Sequence, residues 1–231
     1  MKTYNDPGSG SGDGRKLAHD QGKTDVRQLD PDVEDALYEL GNVGMGQATS
    51  ALGNMIGGRI TITTPKVNPV QTDLTKLVAN YEDKVSLGIL MSLDQKLHGM
   101  MLIIIDRQFM TNLVLKLTGE GCPEEKLLED DFCRSVIQEV ANIMASSYMS
   151  ALGAYTGLRV YLSPVVAGVD AVDKLVEYPV QKMSLDPKNC FCVDTSFTVR
   201  YEQDPESVYQ GSIVLFPDDE SIDVLTSAML S

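Results

Sequence analysis

Two pairs of polar residues have the types and the spacing to do chemistry together. Glu39 and Asn42 lie three positions apart, and Glu139 and Asn142 repeat the pair 100 residues later. Residues three apart on an α-helix project side by side from a rigid support. A carboxylate attracts cations, and a carboxamide can both donate and accept hydrogen bonds. Each pair is therefore a candidate for insertion into the cleft of a partner molecule.

The residues around the two amides are unusually small. Gly41, Gly44 and Gly46 surround Asn42, and alanines and serines flank Asn142. A glycine in a helix interior costs about 0.8–1.0 kcal/mol relative to alanine, so the three glycines together cost roughly two to three kcal/mol. Close approach of another backbone, inside the molecule or from a docked partner, would compensate for this loss.

The first pair is predicted to lie on a long helix that runs from Asp30 to Gly57. Asp30 can accept hydrogen bonds from the first amides of the helix, and Pro31 suits its first position. The polar stripe of this helix consists of Asp35, Glu39, Asn42 and Gly46. The stripe of the corresponding second helix consists of Ser135, Glu139, Asn142 and Ser146. Both pairs should therefore stand on helix faces separate from the apolar, core-facing residues.

Segments typical of strands follow the first helix, and another helix closes this half of the chain. The predicted strands are Arg59–Thr63, Lys84–Met91 and Gly99–Ile105, and the predicted helix, capped by Asp106, is Arg107–Leu117. The Met101–Ile105 run is apolar throughout, which indicates a buried strand.

The second half of the chain repeats this plan. Ser50–Gly53 recurs as Ser150–Gly153, displaced by 100 residues, and Gly99–Asp106 is mirrored by Gly211–Asp218, displaced by 112. The growth in displacement predicts an insertion, which we place within Val169–Asn189. Because one half could not easily bury its own sheet face, we expect both halves to share one sheet.

The predicted fold is α/β (α+β). It is a single pseudo-twofold domain in which two helix–strand–strand–strand–helix halves share a mainly antiparallel sheet with long helices packed on it. The domain spans residues 30–231, with the internal repeat at about 30–120 and 123–231. Residues 1–29, rich in Gly, Ser and Asp, are predicted to be a flexible tail or an expression remnant.

Composition excludes several classes of partner. The net charge is −14, and residues 1–30 hold equal numbers of basic and acidic side chains, so the excess lies in the body. An acidic body repels phosphate backbones and anionic lipid, so we expect neither nucleic-acid binding nor membrane insertion. The four cysteines lack CxxC spacing and there are two histidines. We therefore expect reduced thiols, no bound metal, no disulfide framework and a cytoplasmic location.

The two polar stripes carry a resemblance to a known family. The chain resembles the CheC/CheX/FliY family of chemotaxis phosphatases, with CheC as the best-fitting branch. The family signature is Asp or Ser, three residues, Glu, two residues, Asn, then about twenty-two residues and Pro. The first half matches it with Asp35, Glu39, Asn42 and Pro65, and with a gap of 22 residues before the proline. The second half matches it with Ser135, Glu139, Asn142 and Pro164, and with a gap of 21.

The resemblance implies an enzyme that hydrolyses the phospho-aspartate of CheY, a receiver-domain protein, and so terminates the flagellar motor signal. By the same resemblance, Asn42 and Asn142 enter the receiver's active site and orient the attacking water, while Glu39 and Glu139 pair with its lysine. No cofactor is expected in this chain, and Mg²⁺ is expected in the receiver. Asp35 and Ser135 would position the glutamate or touch the partner, whereas Pro65 and Pro164 would fix the chain after a strand.

Other interpretations remain at this point. The chain could be a non-catalytic adaptor that binds phosphorylated CheY, the receptor deamidase CheD, or both. A switch component of the FliY type would need a flagellar C-terminal domain, which we do not expect beyond Ser231, and a CheX type would carry a single motif. Each Glu–Asn pair could also be an ordinary solvated helix face. The acidic runs 129–131 and 218–220 are better explained by helix capping than by cation binding.

Overall fold

The molecule is described by a computed structural model that covers residues 30–57, 59–62, 66–69, 84–185, 191–201 and 204–229. The predicted tail and Pro65 lie outside these residues. The helices in the described part are α1 (Pro31–Ile56), α2 (Arg107–Thr118), a 3₁₀ turn (Glu124–Lys126), α3 (Asp131–Thr156), α4 (Val172–Lys182) and α5 (Asp219–Met229). The strands are β1 (Arg59–Ile62), β2 (Lys66–Pro69), β3 (Val85–Gln95), β4 (Gly99–Ile105), β5 (Val160–Leu162), β6 (Val166–Ala171), β7 (Phe191–Tyr201) and β8 (Asp204–Pro217).

The long helices α1 and α3 begin and end in the same way. The Asp30 carboxylate accepts a hydrogen bond from a first-turn amide of α1, and Asp130 does the same for two amides of α3. Gly57 and Gly157 close the two helices in the left-handed conformation, with φ of 60° and 72°. Only glycine adopts this conformation without strain, so each helix stops there. The predicted ends of α1 are therefore confirmed.

One sheet runs through the molecule, and every described strand pair in it is antiparallel. The strand order is β1-β7-β8-β4-β3-β5, with β2 also paired to β7 and β6 to β3. This confirms the predicted α+β fold with a shared sheet. Each half nevertheless contributes four strands where three were predicted. The missed strands, β2 and β6, have only 4 and 6 residues, and they lack the apolar alternation of longer strands.

The register of the two central strands supports the pseudo-twofold relation. Gly99 of β4 pairs with Pro217 of β8, and Ile105 pairs with Gly211. A shift of 112 residues takes 99 to 211 and 105 to 217, so it exchanges these two pairs. The axis of symmetry therefore passes through the remaining central pair, Leu102 and Val214.

The position of the insertion is only partly as predicted. Ile89 pairs with Ile103 in the first half, and Val193 pairs with Leu215 in the second. Since 215 lies 112 residues after 103 but 193 lies only 104 after 89, β3 and β7 are displaced by 104. The four extra residues beyond 100 fall between β6 and β7, inside the predicted window. The other eight fall in the hairpin of β7 and β8. The prediction of a single insertion is therefore wrong.

The halves exchange their outer strands. Both β1 and β2 of the first half pair with β7, and both β5 and β6 of the second half pair with β3. The larger core lies on the sheet face covered by α1, α2, α3 and α5, and α4 packs on the opposite face. The central strand β4 is buried along nearly its whole length, as predicted. No helix in the described part of the chain is long and apolar enough to cross a membrane.

The contact between α1 and α3 explains one of the costly glycines. A Cβ built on Gly44 would lie 2.8 Å from ring atoms of Tyr148, whose side chain is fully buried. The Tyr148 ring therefore occupies the space that a larger residue would need. At Gly46, by contrast, nothing lies within 4 Å of such a Cβ. Packing inside the molecule thus accounts for Gly44 and leaves Gly46 as a low point on the surface.

A disulfide in the structure contradicts the expectation of reduced thiols. Cys122 and Cys133 are bonded, with their Cα atoms 6.4 Å apart, and both side chains are buried. The bond ties the connection after α2 to the first turn of α3. Ten residues separate the two cysteines in sequence, a spacing that carries no pairing signal until the two helices are placed. Cys192 is buried in β7.

Alanine at the two glycines of α1 should have opposite effects. We expect Gly44→Ala to lower the free energy of unfolding by about 1–2 kcal/mol, because overpacking against Tyr148 outweighs the gain in helix propensity. Gly46→Ala should raise it by up to about 1 kcal/mol, since its surroundings are open. Urea unfolding measures both values. Equal stabilisation of the two variants would contradict the close contact.

Reduction of the disulfide should destabilise the protein. Closing a loop of this length restricts the unfolded chain, so tris(2-carboxyethyl)phosphine should lower the free energy of unfolding by about 2–3 kcal/mol. The variant Cys122→Ala/Cys133→Ala provides the control, since its urea unfolding curve should not respond to the reductant. A wild-type curve that is equally unresponsive would show that the bond is absent in solution.

Candidate functional site

The two Glu–Asn pairs lie on the surface, one on each long helix. Glu39 and Asn42 are exposed on α1, and Glu139 and Asn142 are exposed on α3. A separation of three residues corresponds to about 4.5 Å along the helix axis, so each carboxylate stands beside its amide. Neither amide makes a hydrogen bond to another group in the described part of the chain. Both amides are therefore available to a partner molecule.

The two helices pack against each other in opposite directions, which places the end of each near the start of the other. The phenol of Tyr155, near the end of α3, donates a hydrogen bond of 2.8 Å to Oε2 of Glu39, near the start of α1. Further along the interface, Gly44 of α1 meets Tyr148 of α3. The bond to Glu39 raises the pKa of Tyr155 above its ordinary value. Glu39 is thus held by the other half of the molecule.

A cleft adjoins Asn142. It has a volume of ≈ 620 Å³ and lies between α3 and the strand β5. Its walls include Ser146 and Ser150 of α3, which also line a groove of ≈ 570 Å³ between α1 and α3. Val43 and Gln47 form the α1 side of that groove. Small side chains therefore line part of the cleft beside Asn142 and most of the groove between the two helices.

Arg159 is a charged residue of this surface that the sequence motif does not include. It lies after α3, is exposed, and lines the same cleft as Asn142. Its counterpart 100 residues earlier in the sequence is Arg59, at the start of β1. The same displacement that relates the two Glu–Asn pairs therefore relates these arginines, and it could have revealed them. In an acidic body, a cation beside the amide would favour an anionic partner group.

The supporting motif residues differ in what they contact. Asp35 is exposed one turn before Glu39, whereas the hydroxyl of Ser135 donates 2.8 Å to the carbonyl of Asp131 in its own helix. Ser135 therefore does not use its proton to hold Glu139. Pro164 is exposed just beyond β5, where the chain turns into β6.

Carboxylates in the acidic runs act as helix caps. Asp130 accepts from the amides of Phe132 and Cys133, and Asp218 accepts from the amide of Ser221. Among the residues that the structure describes, no group of three or more His, Cys, Asp or Glu side chains could hold a metal ion. Helix capping thus explains these acidic runs. The candidate functional residues on the described surface are those of the two long helices.

Comparison with known proteins gives matches at the same two helices. A model of the CheC-like family matches residues 33–68 and 132–164, and each segment contains one Glu–Asn pair. The CheY-P phosphatase CheC of Bacillus subtilis (strain 168) is 26% identical over 202 residues, which span 84% of this chain and 92% of that protein.

Solved structures share the fold. FliY of Thermotoga maritima superimposes with a TM-score of 0.63 at 18% identity, over 87% of this chain and 98% of that one. The FliM middle domain of Vibrio alginolyticus gives 0.54 at 15% identity, over 84% of this chain and 99% of that one. Both candidate pairs therefore lie in segments that match the CheC-like family model, and these solved structures share the fold of the chain.

Alanine at the two amides should leave the fold intact. Because both side chains are exposed without an internal partner, Asn42→Ala and Asn142→Ala should each change the free energy of unfolding by no more than about 0.7 kcal/mol, in the stabilising direction. Asn112 is the matched control, since its amide donates 2.7 Å to Tyr209 and it is half-buried. Asn112→Ala should cost about 1 kcal/mol in the same urea titration. A comparable loss at Asn42 or Asn142 would mean that these amides support the structure.

Proposed function

We propose that the chain is a CheC-like phosphatase for the phospho-aspartate of CheY-type receiver domains, because a model of that family matches the two segments that hold its Glu–Asn pairs and a CheY-P phosphatase is 26% identical to it. The observation that carries the proposal is the exposure of one Glu–Asn pair in each half, with neither amide hydrogen-bonded within the described part of the chain. The reaction would end a chemotaxis signal in the cytoplasm. The partners we propose are phosphorylated CheY and, as an adaptor role, CheD.

Asn42 and Asn142 are the proposed catalytic residues. Each amide would enter the receiver's active site, where its oxygen accepts a hydrogen bond from the attacking water and its NH₂ group donates to neighbouring oxygen. The water oxygen attacks phosphorus, the bond between phosphorus and the aspartyl oxygen breaks, and inorganic phosphate and a free carboxylate result. Orientation of the water is the enzyme's main contribution, because phosphoryl transfer depends chiefly on positioning and charge stabilisation.

Glu39 and Glu139 are the proposed docking residues. Each carboxylate stands one helical step from its amide, so an ion pair with a cation of the receiver would fix the amide's approach to the phosphoryl group. The acidic net charge of the chain favours such a cation over a second anion. Mg²⁺, which we expect in the receiver, would neutralise phosphoryl charge there, and this chain needs no cofactor of its own for its part.

Low surfaces beside the amides support docking of a whole protein domain. Gly46, one turn after Asn42, has open space where a side chain would stand, and Ser146 occupies the matching place after Asn142. A receiver can therefore approach the helix backbone closely at both positions. The helix cost of Gly46, which internal packing does not explain, is consistent with this use.

Loss of both amides should abolish phosphatase activity. We expect Asn42→Ala/Asn142→Ala to slow the loss of phosphate from a CheY-type receiver phosphorylated by acetyl phosphate by on the order of 10²-fold or more, because a misdirected water reacts slowly. Each single variant should retain the activity of the other site. The measurement is a time course of phosphorylated receiver with catalytic amounts of each variant.

Asn54→Ala is the matched control, since Asn54 is exposed on the same helix outside the motif. Its activity should equal that of the wild type. Full activity of the double variant would refute the catalytic assignment. Binding of the phosphorylated receiver or of CheD by the wild type, without faster phosphate release, would favour the adaptor function instead.

A further inference from the structure

The two sites differ in how their glutamates are held. Tyr155 donates 2.8 Å to Glu39 across the interface of α1 and α3. The residue that corresponds to Tyr155 in the first half, 100 positions earlier, is Met55, which packs against the core. Methionine offers no proton, and no residue in the described part of the chain donates a hydrogen bond to the carboxylate of Glu139. The pseudo-twofold symmetry of the halves is therefore broken at the docking carboxylates.

The bond to Tyr155 restricts a side chain that would otherwise be free. A glutamate on a helix surface samples many rotamers, and this freedom is lost when it binds a partner. A tyrosine has only two rotatable side-chain angles, and its ring lies in the groove between α1 and α3 beside Val43 and Gln47. Such a ring is a stiff support for its hydroxyl. With Oε2 occupied by the phenol, Oε1 of Glu39 remains to accept a bond from outside.

The geometry of the bond makes it compatible with a cation on the far side. A phenol that donates to a carboxylate forms a charge-assisted hydrogen bond and leaves the carboxylate ionised. The same bond raises the pKa of the Tyr155 phenol above its ordinary value. Among the described residues no salt bridge involves Glu39, so no cation of this chain is paired with its carboxylate.

We propose that Tyr155 is a positioning residue of the first site. It pre-orders Glu39 for the cation of a phosphorylated receiver, so the first site gains affinity through a contact that the second site lacks. This inference rests on the proposed phosphatase function. Because the phenol touches neither water nor phosphate, its effect should fall on KM for the phosphorylated receiver and not on kcat.

The test measures each site alone. In the Asn142→Ala background, which leaves the first site, Tyr155→Phe should raise KM for a phosphorylated CheY-type receiver by about 3–10-fold, the loss of one hydrogen bond to a charged group, with kcat within about twofold. In the Asn42→Ala background, which leaves the second site, the same substitution should leave KM unchanged. Tyr178→Phe, an exposed tyrosine of α4 on the other sheet face, is the matched control in both backgrounds.

A spectroscopic titration tests the bond itself. With ¹³Cζ-labelled tyrosine, the pKa of Tyr155 should lie above its ordinary value in the wild type and return towards it in Glu39→Gln. A tyrosine that makes no bond to Glu39 would not respond to that substitution.

Three results would overturn the proposal. These are a rise of KM that is equal in both backgrounds, a fall of KM in the Asn142→Ala background, and a Tyr155 titration that ignores Glu39→Gln. Failure of the phosphatase function is a separate result, because it would appear as full activity of the Asn42→Ala/Asn142→Ala variant before Tyr155 is changed.

Discussion

The antiparallel packing of α1 against α3 is the contact on which both candidate sites depend. It holds two 26-residue helices side by side on one face of the sheet, so each apolar face is buried and each polar stripe is left outside. The pair Gly44–Tyr148 sets how closely the helices approach, because a glycine is the residue that leaves room for the ring. The same approach brings Tyr155 to Glu39. Helix spacing and site geometry are therefore consequences of one interface.

A surface site of this kind requires only a few specific residues. It needs a rigid helix, an amide, a carboxylate one step away and no large neighbour that would block a docking domain. The remaining groups, including the phosphoryl group and its metal ion, would come from the receiver in the mechanism we propose. A chain can therefore change most of its residues and keep the arrangement, which fits 26% identity to a relative over most of both chains.

Features with local signals could be predicted from the sequence. Asp30, Pro31 and Gly57 mark the ends of α1 by capping chemistry, and the apolar run of β4 marks a buried strand. The exposure of Asn42 and Asn142 followed from helix periodicity, and the duplicated plan followed from blocks that recur at fixed displacement. Except for the duplicated plan, which required a comparison of distant blocks, the deciding residues lie within a few positions of one another.

Features that depend on distant partners could not be predicted in this way. Tyr155 lies 116 positions from Glu39, and the sequence around each residue does not indicate that the two are in contact. The short strands β2 and β6 are strands because β7 and β3 pair with them, not because of their own propensity. The bond of Cys122 to Cys133 likewise needs α2 and α3 in place. The strand register was also needed to place the twelve extra residues, because the longer hairpin of β7 and β8 leaves no interruption in the sequence pattern.

The exchange of outer strands has a consequence for how the chain is made. During synthesis, β1 and β2 leave the ribosome more than 120 residues before β7, the strand with which they pair. Until then the first half carries unsatisfied strand edges and an incompletely covered sheet, a condition that invites self-association of nascent chains. Pairings of such long sequence separation also make closure slow. Native assembly is thus a late event that requires nearly the whole polypeptide, and a fragment holding only one Glu–Asn pair would lack the strands that complete its sheet.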